Sequence, residues 1–256
     1  MMSAYGRRPG EEPARPPGRP GNPRWLRPRV LNCLVTLALL FAASHAASAQ
    51  AQDLFAPRYT VGTSSYPMDT AIGDVTGDGV PDMLVTSDIG NFFQIFRGLG
   101  SGSFTSIGTA STAQRPESIA LGDLNGDSVL DVVTTGDVGP DTISVRLGSG
   151  NGSFGGLSQF SVGTDPKDVT LADMDNDGNL DAVVSTGGAD SVSVLFGQGN
   201  GSFAGRVDYP GSGSVGLGDL NGDGWKDLVV GGSDIGVRLG TGDGVLGARV
   251  VYSGGG

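Results

Sequence analysis

The feature that most constrains this chain is a nine-residue segment that occurs four times. The first copy, Asp74–Asp82, reads Asp-Val-Thr-Gly-Asp-Gly-Val-Pro-Asp, and the others begin at Asp123, Asp173 and Asp219. The first aspartates of successive copies are 49, 50 and 46 residues apart. Self-similarity at such a period is typical of repeat architectures, in which each repeat is one supersecondary unit. The chain is therefore predicted to contain four similar units.

Side chains that carry oxygen occupy alternate positions of the segment. Positions 1, 5 and 9 are always Asp, and position 3 is Thr, Asn or Asp. Ca²⁺ prefers roughly six to eight oxygen ligands, and position 7 can bind through its backbone carbonyl, whatever its side chain. The sequence predicts up to four Ca²⁺ sites. Their ligands would be Asp74, Thr76, Asp78, Val80 and Asp82 in loop 1; Asp123, Asn125, Asp127, Val129 and Asp131 in loop 2; Asp173, Asp175, Asp177, Asn179 and Asp181 in loop 3; and Asp219, Asn221, Asp223, Trp225 and Asp227 in loop 4.

The four loops are not equivalent. Loop 3 has four carboxylates and is expected to bind Ca²⁺ most tightly, because affinity follows ligand charge. Loop 2 is expected to be the weakest, because Ser128 replaces the glycine that allows a sharp turn at position 6. No loop has the Glu at position 12 that an EF-hand requires. The alternative is that the Asp-Gly and Asn-Gly pairs are only hairpin turns.

Short apolar runs flank each loop, as in Ala71-Ile72 before loop 1 and Met83-Leu84-Val85 after it. Further along each unit, a glycine-rich turn ends in an apolar residue, and the four are Phe104, Phe154, Phe203 and Leu246. The pattern predicts four short strands per unit and an all-β fold. The glycine-rich turns are not expected to bind a dinucleotide, because that fingerprint must open a helix.

Residues 1–49 stand apart from the repeats. Residues 1–29 carry seven Arg, Val30–Ala43 is mostly apolar, and Ala47-Ser48-Ala49 matches a signal-peptidase site. This order predicts a secretory signal over residues 1–49 and a mature chain over residues 50–256. The apolar run is shorter than the ~20 residues of a membrane span, so the mature chain is not expected to insert into a membrane. It is expected to be extracellular or on the cell surface, with the periplasm as the alternative.

The predicted mature chain is strongly acidic. Residues 1–49 hold seven of the 16 basic and two of the 27 acidic side chains, which leaves 9 basic and 25 acidic ones, a formal charge of −16. Thirteen of these 25 carboxylates lie in the four loops. Carboxylates clustered in this way repel one another unless a cation neutralises them. The charge favours divalent cations or basic partners and excludes nucleic acid and anionic membranes.

The units resemble FG-GAP/VCBS repeats, the blades of integrin α-chain β-propellers. The four loops and the glycine-rich turns carry the resemblance, which covers about residues 58–252. It implies a β-propeller-like array of four-stranded antiparallel blades, with Ca²⁺ in the loop between the first two strands of each. The segment Arg58–Gly62 resembles an additional outer strand. Four units are fewer than the seven of integrin-like propellers, so the array is expected to be a small ring, an open array that self-associates, or a fragment.

The leading functional hypothesis is a secreted, calcium-binding module for adhesion or recognition of an extracellular protein or glycan. Tyr66, Phe92, Phe93 and Arg115 are candidates for its surface, although packing between blades is the favoured alternative for each.

The second hypothesis is a Ca²⁺-dependent polysaccharide lyase or hydrolase on a propeller. It is disfavoured because the only Cys and the only His, Cys33 and His45, lie before residue 50, so no catalytic residues are assigned. The third hypothesis is a structural spacer in a surface assembly.

Overall fold

The computed structural model describes residues 60–63, 66–113, 115–136, 139–188 and 190–253. The predicted signal, residues 1–49, lies outside this range. The described residues form sixteen β-strands and no helix. Within them, no helix is long and apolar enough to cross a membrane.

The strands form four antiparallel sheets, each built from four consecutive strands. These sheets are the predicted blades. Blade 1 contains β1 (Pro67–Gly73), β2 (Asp82–Ser87), β3 (Phe92–Gly98) and β4 (Phe104–Ser111). Blade 2 contains β5 (Ile119–Gly122), β6 (Asp131–Gly136), β7 (Thr142–Arg146) and β8 (Ser158–Ser161). Blade 3 contains β9 (Pro166–Ala172), β10 (Asp181–Thr186), β11 (Ser191–Gly197) and β12 (Phe203–Pro210). Blade 4 contains β13 (Ser214–Gly218), β14 (Asp227–Gly231), β15 (Ile235–Arg238) and β16 (Val250–Tyr252).

Strand register fixes the position of the predicted loops. The last residue of the first strand pairs with the position-9 aspartate, as in Gly73 with Asp82 and Gly122 with Asp131. Blades 3 and 4 repeat this pairing. Each nine-residue loop therefore closes a hairpin between the first two strands of its blade, as the sequence predicted.

The core consists of three apolar clusters, one at each interface between successive blades. The first strands of neighbouring blades also lie side by side, from β1 to β5, from β5 to β9 and from β9 to β13. Within the described residues, no corresponding cluster joins blade 4 to blade 1. The four blades therefore form an open array, which is one of the forms expected from the sequence.

The candidate surface residues have different environments. Phe93 is fully buried and packs edge-on against Phe154 of blade 2, with ring centroids 5.2 Å apart, so the packing alternative is confirmed for it. Tyr66 is 64% exposed. Phe92 is half-buried, and Arg115 is exposed and forms an ion pair with Asp88 at 2.7 Å. Only Phe93 is therefore removed from the candidate surface.

The predicted additional strand at Arg58–Gly62 is wrong over the part that the structure describes. Residues 60–62 belong to no strand. Val61 instead helps to line an apolar pocket on blade 1.

Candidate metal centres

The position-1 aspartate organises the backbone of the loop. In loop 1, Asp74 Oδ1 accepts hydrogen bonds from the backbone N–H groups of Gly77 and Asp78, at 2.7 and 3.2 Å, and Oδ2 accepts one from Gly79 at 2.7 Å. Asp123 and Asp219 accept the equivalent bonds in loops 2 and 4. The curled backbone brings the alternate side chains to one side, as a Ca²⁺ loop requires.

The position-9 aspartate is fully buried in all four loops. In loop 2, Asp131 Oδ2 accepts a hydrogen bond from Leu124 N, and Oδ1 accepts one from Gly148 N, both at 2.8 Å. The same pair of bonds occurs in the other three loops. This carboxylate therefore links its loop to the end of the third strand of the blade or to the turn that follows it.

The spacing of the loop did not reveal this fastening role. The invariant Asp beside a buried strand was a usable signal, because buried carboxylates need backbone donors. Each oxygen of the carboxylate has a second lone pair, so the fastening leaves its predicted role as a Ca²⁺ ligand possible.

Positions 3 and 5 interact directly in two loops. Asn125 donates to Asp127 at 3.0 Å, and Asn221 donates to Asp223 at 2.7 Å. In every loop the position-5 carboxylate also accepts the N–H of position 7. Side-chain oxygens of positions 1, 3 and 5 are thus placed within a single turn of backbone.

The residues of loop 3 fit a cation. Oxygens of Asp173, Asp175 and Asp177 lie within 4.8 Å of one another. Asp173 Oδ1 is buried, and no hydrogen bond satisfies it within the described part of the chain. A buried oxygen without a partner is costly, whereas a hard cation would satisfy it. The group of three carboxylates and the unsatisfied oxygen both match the donor set that Ca²⁺ requires.

The same kind of unsatisfied oxygen occurs in loop 1. Thr76 Oγ1, at position 3, is buried and makes no hydrogen bond of normal geometry among the residues described, although it lies beside the Asp78 carboxylate. A protein cation also lies against loop 1, because Arg97 of β3 contacts Asp78 at 2.7 Å. Hydrogen bonds from Val80 N and from Arg97 lower the pKa of Asp78. Arg97 therefore competes for one of the predicted ligands.

Burial and neighbouring negative charges raise carboxylate pKa values in loop 3, as they do for Asp131 in loop 2. Burial, together with the nearby charges of Asp175 and Asp173, raises the pKa of Asp181 to about 6. Burial and the charges of Asp177 and Asp173 also raise the pKa of Asp175. A bound cation would favour the ionised form of every carboxylate around it.

Ser128 adopts the backbone conformation that glycine adopts elsewhere. Its φ is +66°, and the φ values of Gly79, Gly178 and Gly224 at the same position are +81°, +89° and +91°. A serine in this left-handed region is strained, because its Cβ approaches the backbone. Loop 2 therefore keeps the sharp turn and accepts strain.

A family model described as an FG-GAP-like repeat matches residues 74–134 and 130–184, which contain loops 1, 2 and 3. Residues 74–184 therefore carry FG-GAP-like repeats. Blade 4 lies outside the matched residues, yet it has the strand order and the loop of the other three FG-GAP-like blades. A search of curated proteins gives no match to this chain.

Solved structures show a similar fold. One is a lectin from Agrocybe aegerita, whose structure shows the recognition of non-reducing terminal N-acetylglucosamine. It is 24% identical to this chain with a TM-score of 0.51, and the match covers 70% of this chain and 50% of the lectin. A Bacteroides caccae protein of unknown function is 13% identical with a TM-score of 0.46, covering 75% of this chain and 63% of that one. The V. cholerae biofilm matrix protein Bap1 is 21% identical with a TM-score of 0.43, covering 71% of this chain and 30% of Bap1.

Proposed function

We propose that the four loops bind Ca²⁺ and that the chain acts as a calcium-stabilised recognition module. The observation that carries the proposal is the unsatisfied, buried Asp173 Oδ1 within a group of three carboxylates. Asp74, Asp123, Asp173 and Asp219, with the side chains at positions 3, 5 and 9, would hold the ions. Bound Ca²⁺ would neutralise carboxylates that otherwise repel one another, and so favour the folded blades.

The test is thermal unfolding of the chain, stripped of metal and then titrated with Ca²⁺ or Mg²⁺. Each site at about 100 times its Kd adds about 2.7 kcal/mol to stability. About 1 kcal/mol shifts the midpoint of a domain of this size by roughly 2–4 °C. Loss of one site should therefore remove roughly 5–10 °C of the rise caused by Ca²⁺.

The variant is Asp173→Asn, which keeps the size of the side chain. Asp243→Asn is the matched control, because it removes the same charge from an exposed turn outside the loops. The proposal predicts a smaller Ca²⁺ response in Asp173→Asn and an unchanged response in Asp243→Asn. Equal responses to Ca²⁺ and Mg²⁺, or equal responses of the two variants, would contradict it.

We further propose that the chain binds rather than catalyses. With no His or Cys after residue 50, a lyase on this scaffold would need a lysine such as Lys167 as its base, and Lys167 contacts Glu117 at 3.0 Å and Asp165 at 2.7 Å. Although burial opposes it, the hydrogen bonds that Lys167 donates to the carboxylates of Asp165 and Glu117 raise the pKa of Lys167. A general base requires the opposite shift, toward neutral pH.

The proposed setting is extracellular or on the cell surface, and its support is the signal pattern of residues 1–49. The proposed partner is a protein or a glycan held by the loops between blades, where recognition residues are commonly found. A glycan array probed in Ca²⁺ and again in EGTA tests the glycan class, with N-acetylglucosamine-terminated glycans included. Binding that requires Ca²⁺ supports the glycan class, and binding to no glycan in either condition removes it.

A further inference from the structure

At the interfaces of blade 2 with blades 1 and 3, a small residue on one blade meets two large apolar residues on the next. A Cβ built on Gly73 of blade 1 would lie 2.5 Å from Leu130 Cδ1 and 3.0 Å from Leu121 Cδ1, both in blade 2. Gly122 of blade 2 has the same relation to blade 3, with Leu180 Cδ1 at 2.6 Å and Leu171 Cδ1 at 2.9 Å. The residue before position 1 of loops 1 and 2 therefore has to be small, because the next blade packs on it.

At each end of the array, the residues that would form this contact meet no neighbouring blade within the described part of the chain. Ile72 is the blade 1 equivalent of Leu121 and Leu171, and it is 69% exposed. Gly218 is the blade 4 equivalent of Gly73, and a Cβ built on it would meet no atom within 4 Å. Blade 1 thus presents the large residue, and blade 4 presents the small one.

The outer face of blade 4 repeats residues that are buried in the other blades. Ile235 is 50% exposed, whereas its equivalents Phe93, Ile143 and Val192 are 0% exposed. Leu220, at position 2 of loop 4, is 57% exposed, and its equivalents in loops 1 to 3 are between 2% and 5% exposed. Blade 4 therefore retains the apolar side chains of an inter-blade contact that no described residue covers.

Backbone groups show the same complementarity. In two of the three interfaces, a glycine of the turn after the third strand donates to position 2 of the preceding loop, from Gly152 N to Val75 O at 2.8 Å and from Gly201 N to Leu124 O at 2.9 Å. The end equivalents are Gly102 N on blade 1 and Leu220 O on blade 4. Neither makes an inter-blade hydrogen bond within the described residues.

The exposed face of blade 1 also contains a pocket of about 360 Å³. Pro67, Met83, Val85 and Phe104 are among its lining residues. In the other blades this face lies against the preceding blade. Val61 and Thr63, before β1, also line the pocket, and a preceding blade would fill the apolar space that they leave open.

We infer that a second copy of this chain packs head to tail on the first, with blade 4 of each copy against blade 1 of the other. Ile72 of one copy would lie over Gly218 of its partner, and Gly102 N would donate to Leu220 O. The contact uses two different faces and repeats the existing rotation between blades, so it closes a ring if the rotation permits. Two copies give eight blades, which is within the range of about four to eight blades that propellers use.

A further pattern along the innermost strands favours this pairing. Ser118 Oγ of blade 2 lies 3.0 Å from a carboxylate oxygen of Asp69 in blade 1 and 2.9 Å from one of Asp168 in blade 3, and its single proton is shared between these two acceptors. The equivalent residue of blade 4 is Ser214. Asp and Ser therefore alternate along the array, and placing Ser214 beside the Asp69 of a second copy continues the alternation without placing two carboxylates together.

Sedimentation equilibrium of the full chain in Ca²⁺, over concentrations from about 1 to 100 μM, tests the inference. Wild type should reach twice the mass of one chain and no more. Ile72→Asp and Ile235→Asp should each remain a single chain, because a charge would be buried in both interfaces of the ring. Ile89→Asp is the matched control, since Ile89 is 63% exposed in the turn between β2 and β3 and lies on neither end face. It should associate as wild type does.

Mixing the two variants distinguishes head-to-tail packing from a symmetric contact. Ile72→Asp retains an intact blade 4, and Ile235→Asp retains an intact blade 1, so their mixture should form pairs through one interface. A contact between two blade 1 faces would instead leave Ile235→Asp associated and the mixture unrestored. The inference is overturned by that result, by a wild-type chain that stays single at every concentration, or by growth beyond two copies.

Discussion

The buried position-9 aspartate allows a specific prediction about stability. Within one loop, its hydrogen bonds to the backbone can be tested separately from metal binding. Asp131 accepts the N–H groups of Leu124 and Gly148, both at 2.8 Å, and is fully buried. Asp123, at position 1 of the same loop, accepts hydrogen bonds from the exposed N–H groups of Gly126 and Ser128. The change proposed is Asp131→Ala, with Asp123→Ala as the matched control.

The expected cost of Asp131→Ala follows from the two donors that it would leave unsatisfied. A buried donor without a partner costs ~1–3 kcal/mol, so the variant should lose about 2–6 kcal/mol of unfolding free energy. This is a large share of the roughly 5–15 kcal/mol that stabilises a domain. Asp123→Ala should cost less in the absence of metal, because its donors are exposed and can turn to water.

Urea unfolding in EGTA, followed by circular dichroism, measures the two losses. If Asp131→Ala does not fold, Asp131→Asn replaces it, since the amide oxygen can still accept one of the two bonds and about half the loss is expected. Addition of Ca²⁺ should then stabilise wild type more than Asp123→Ala. A loss below about 0.5 kcal/mol for Asp131→Ala in EGTA, the range of ordinary surface changes, would refute the fastening role.

Three other predictions follow from the interfaces and the loops. Ile143→Ala should cost about 2–5 kcal/mol, because the side chain is fully buried between blades 2 and 3, whereas Ile235→Ala in dilute solution should cost less than about 1 kcal/mol. Arg97→Ala should tighten Ca²⁺ binding at loop 1 by about two- to five-fold, measured by calorimetry, because it removes the ion pair to Asp78. In EGTA, the thermal midpoint should fall as pH rises through about 6. Between pH 4 and pH 7, this fall should be smaller in Asp181→Asn than in wild type.

The sign of the pH effect follows from linkage. Burial raises the pKa of Asp181 from an ordinary 3.8 to about 6, so the folded chain holds the proton more tightly than the unfolded chain does. The stabilisation is complete below the unfolded pKa and is lost as pH rises through the folded one. A midpoint in EGTA that rises between pH 4 and pH 7, and that Asp181→Asn does not change, would contradict this assignment. For the core variants, an equal loss of unfolding free energy in Ile143→Ala and Ile235→Ala would contradict the open array.

Local sequence was sufficient to predict the blades, because the signals are short-range. Asp at positions 1, 5 and 9 with apolar runs on both sides placed each loop in a hairpin, and the register of Gly73 with Asp82 confirms that placement. The alternation of side chains likewise identified position 3, where the structure finds the unsatisfied Thr76 Oγ1. Side-chain period and turn chemistry decide such features within about ten residues.

Features that depend on neighbouring blades could not be predicted from local pattern. Phe93 and Ile235 occupy equivalent strand positions in blades 1 and 4, yet one is fully buried and the other is 50% exposed. The difference depends on whether a further blade follows, which the residues of a single blade do not encode. The residues at 60–62 look strand-like alone, but they find no strand partner and form no strand.

Counting the bound ions is the most direct test of whether the four loops hold Ca²⁺. Native mass spectrometry of the chain, after exchange into a volatile buffer with limiting Ca²⁺, reports the number of ions on each chain. We expect each wild-type chain to bind up to four Ca²⁺ ions. Asp173→Asn should bind one ion fewer, and Asp243→Asn should bind as many as wild type. A spectrum with no specific uptake, identical for Ca²⁺ and Mg²⁺ and for both variants, would show that the loops are hairpin turns without metal.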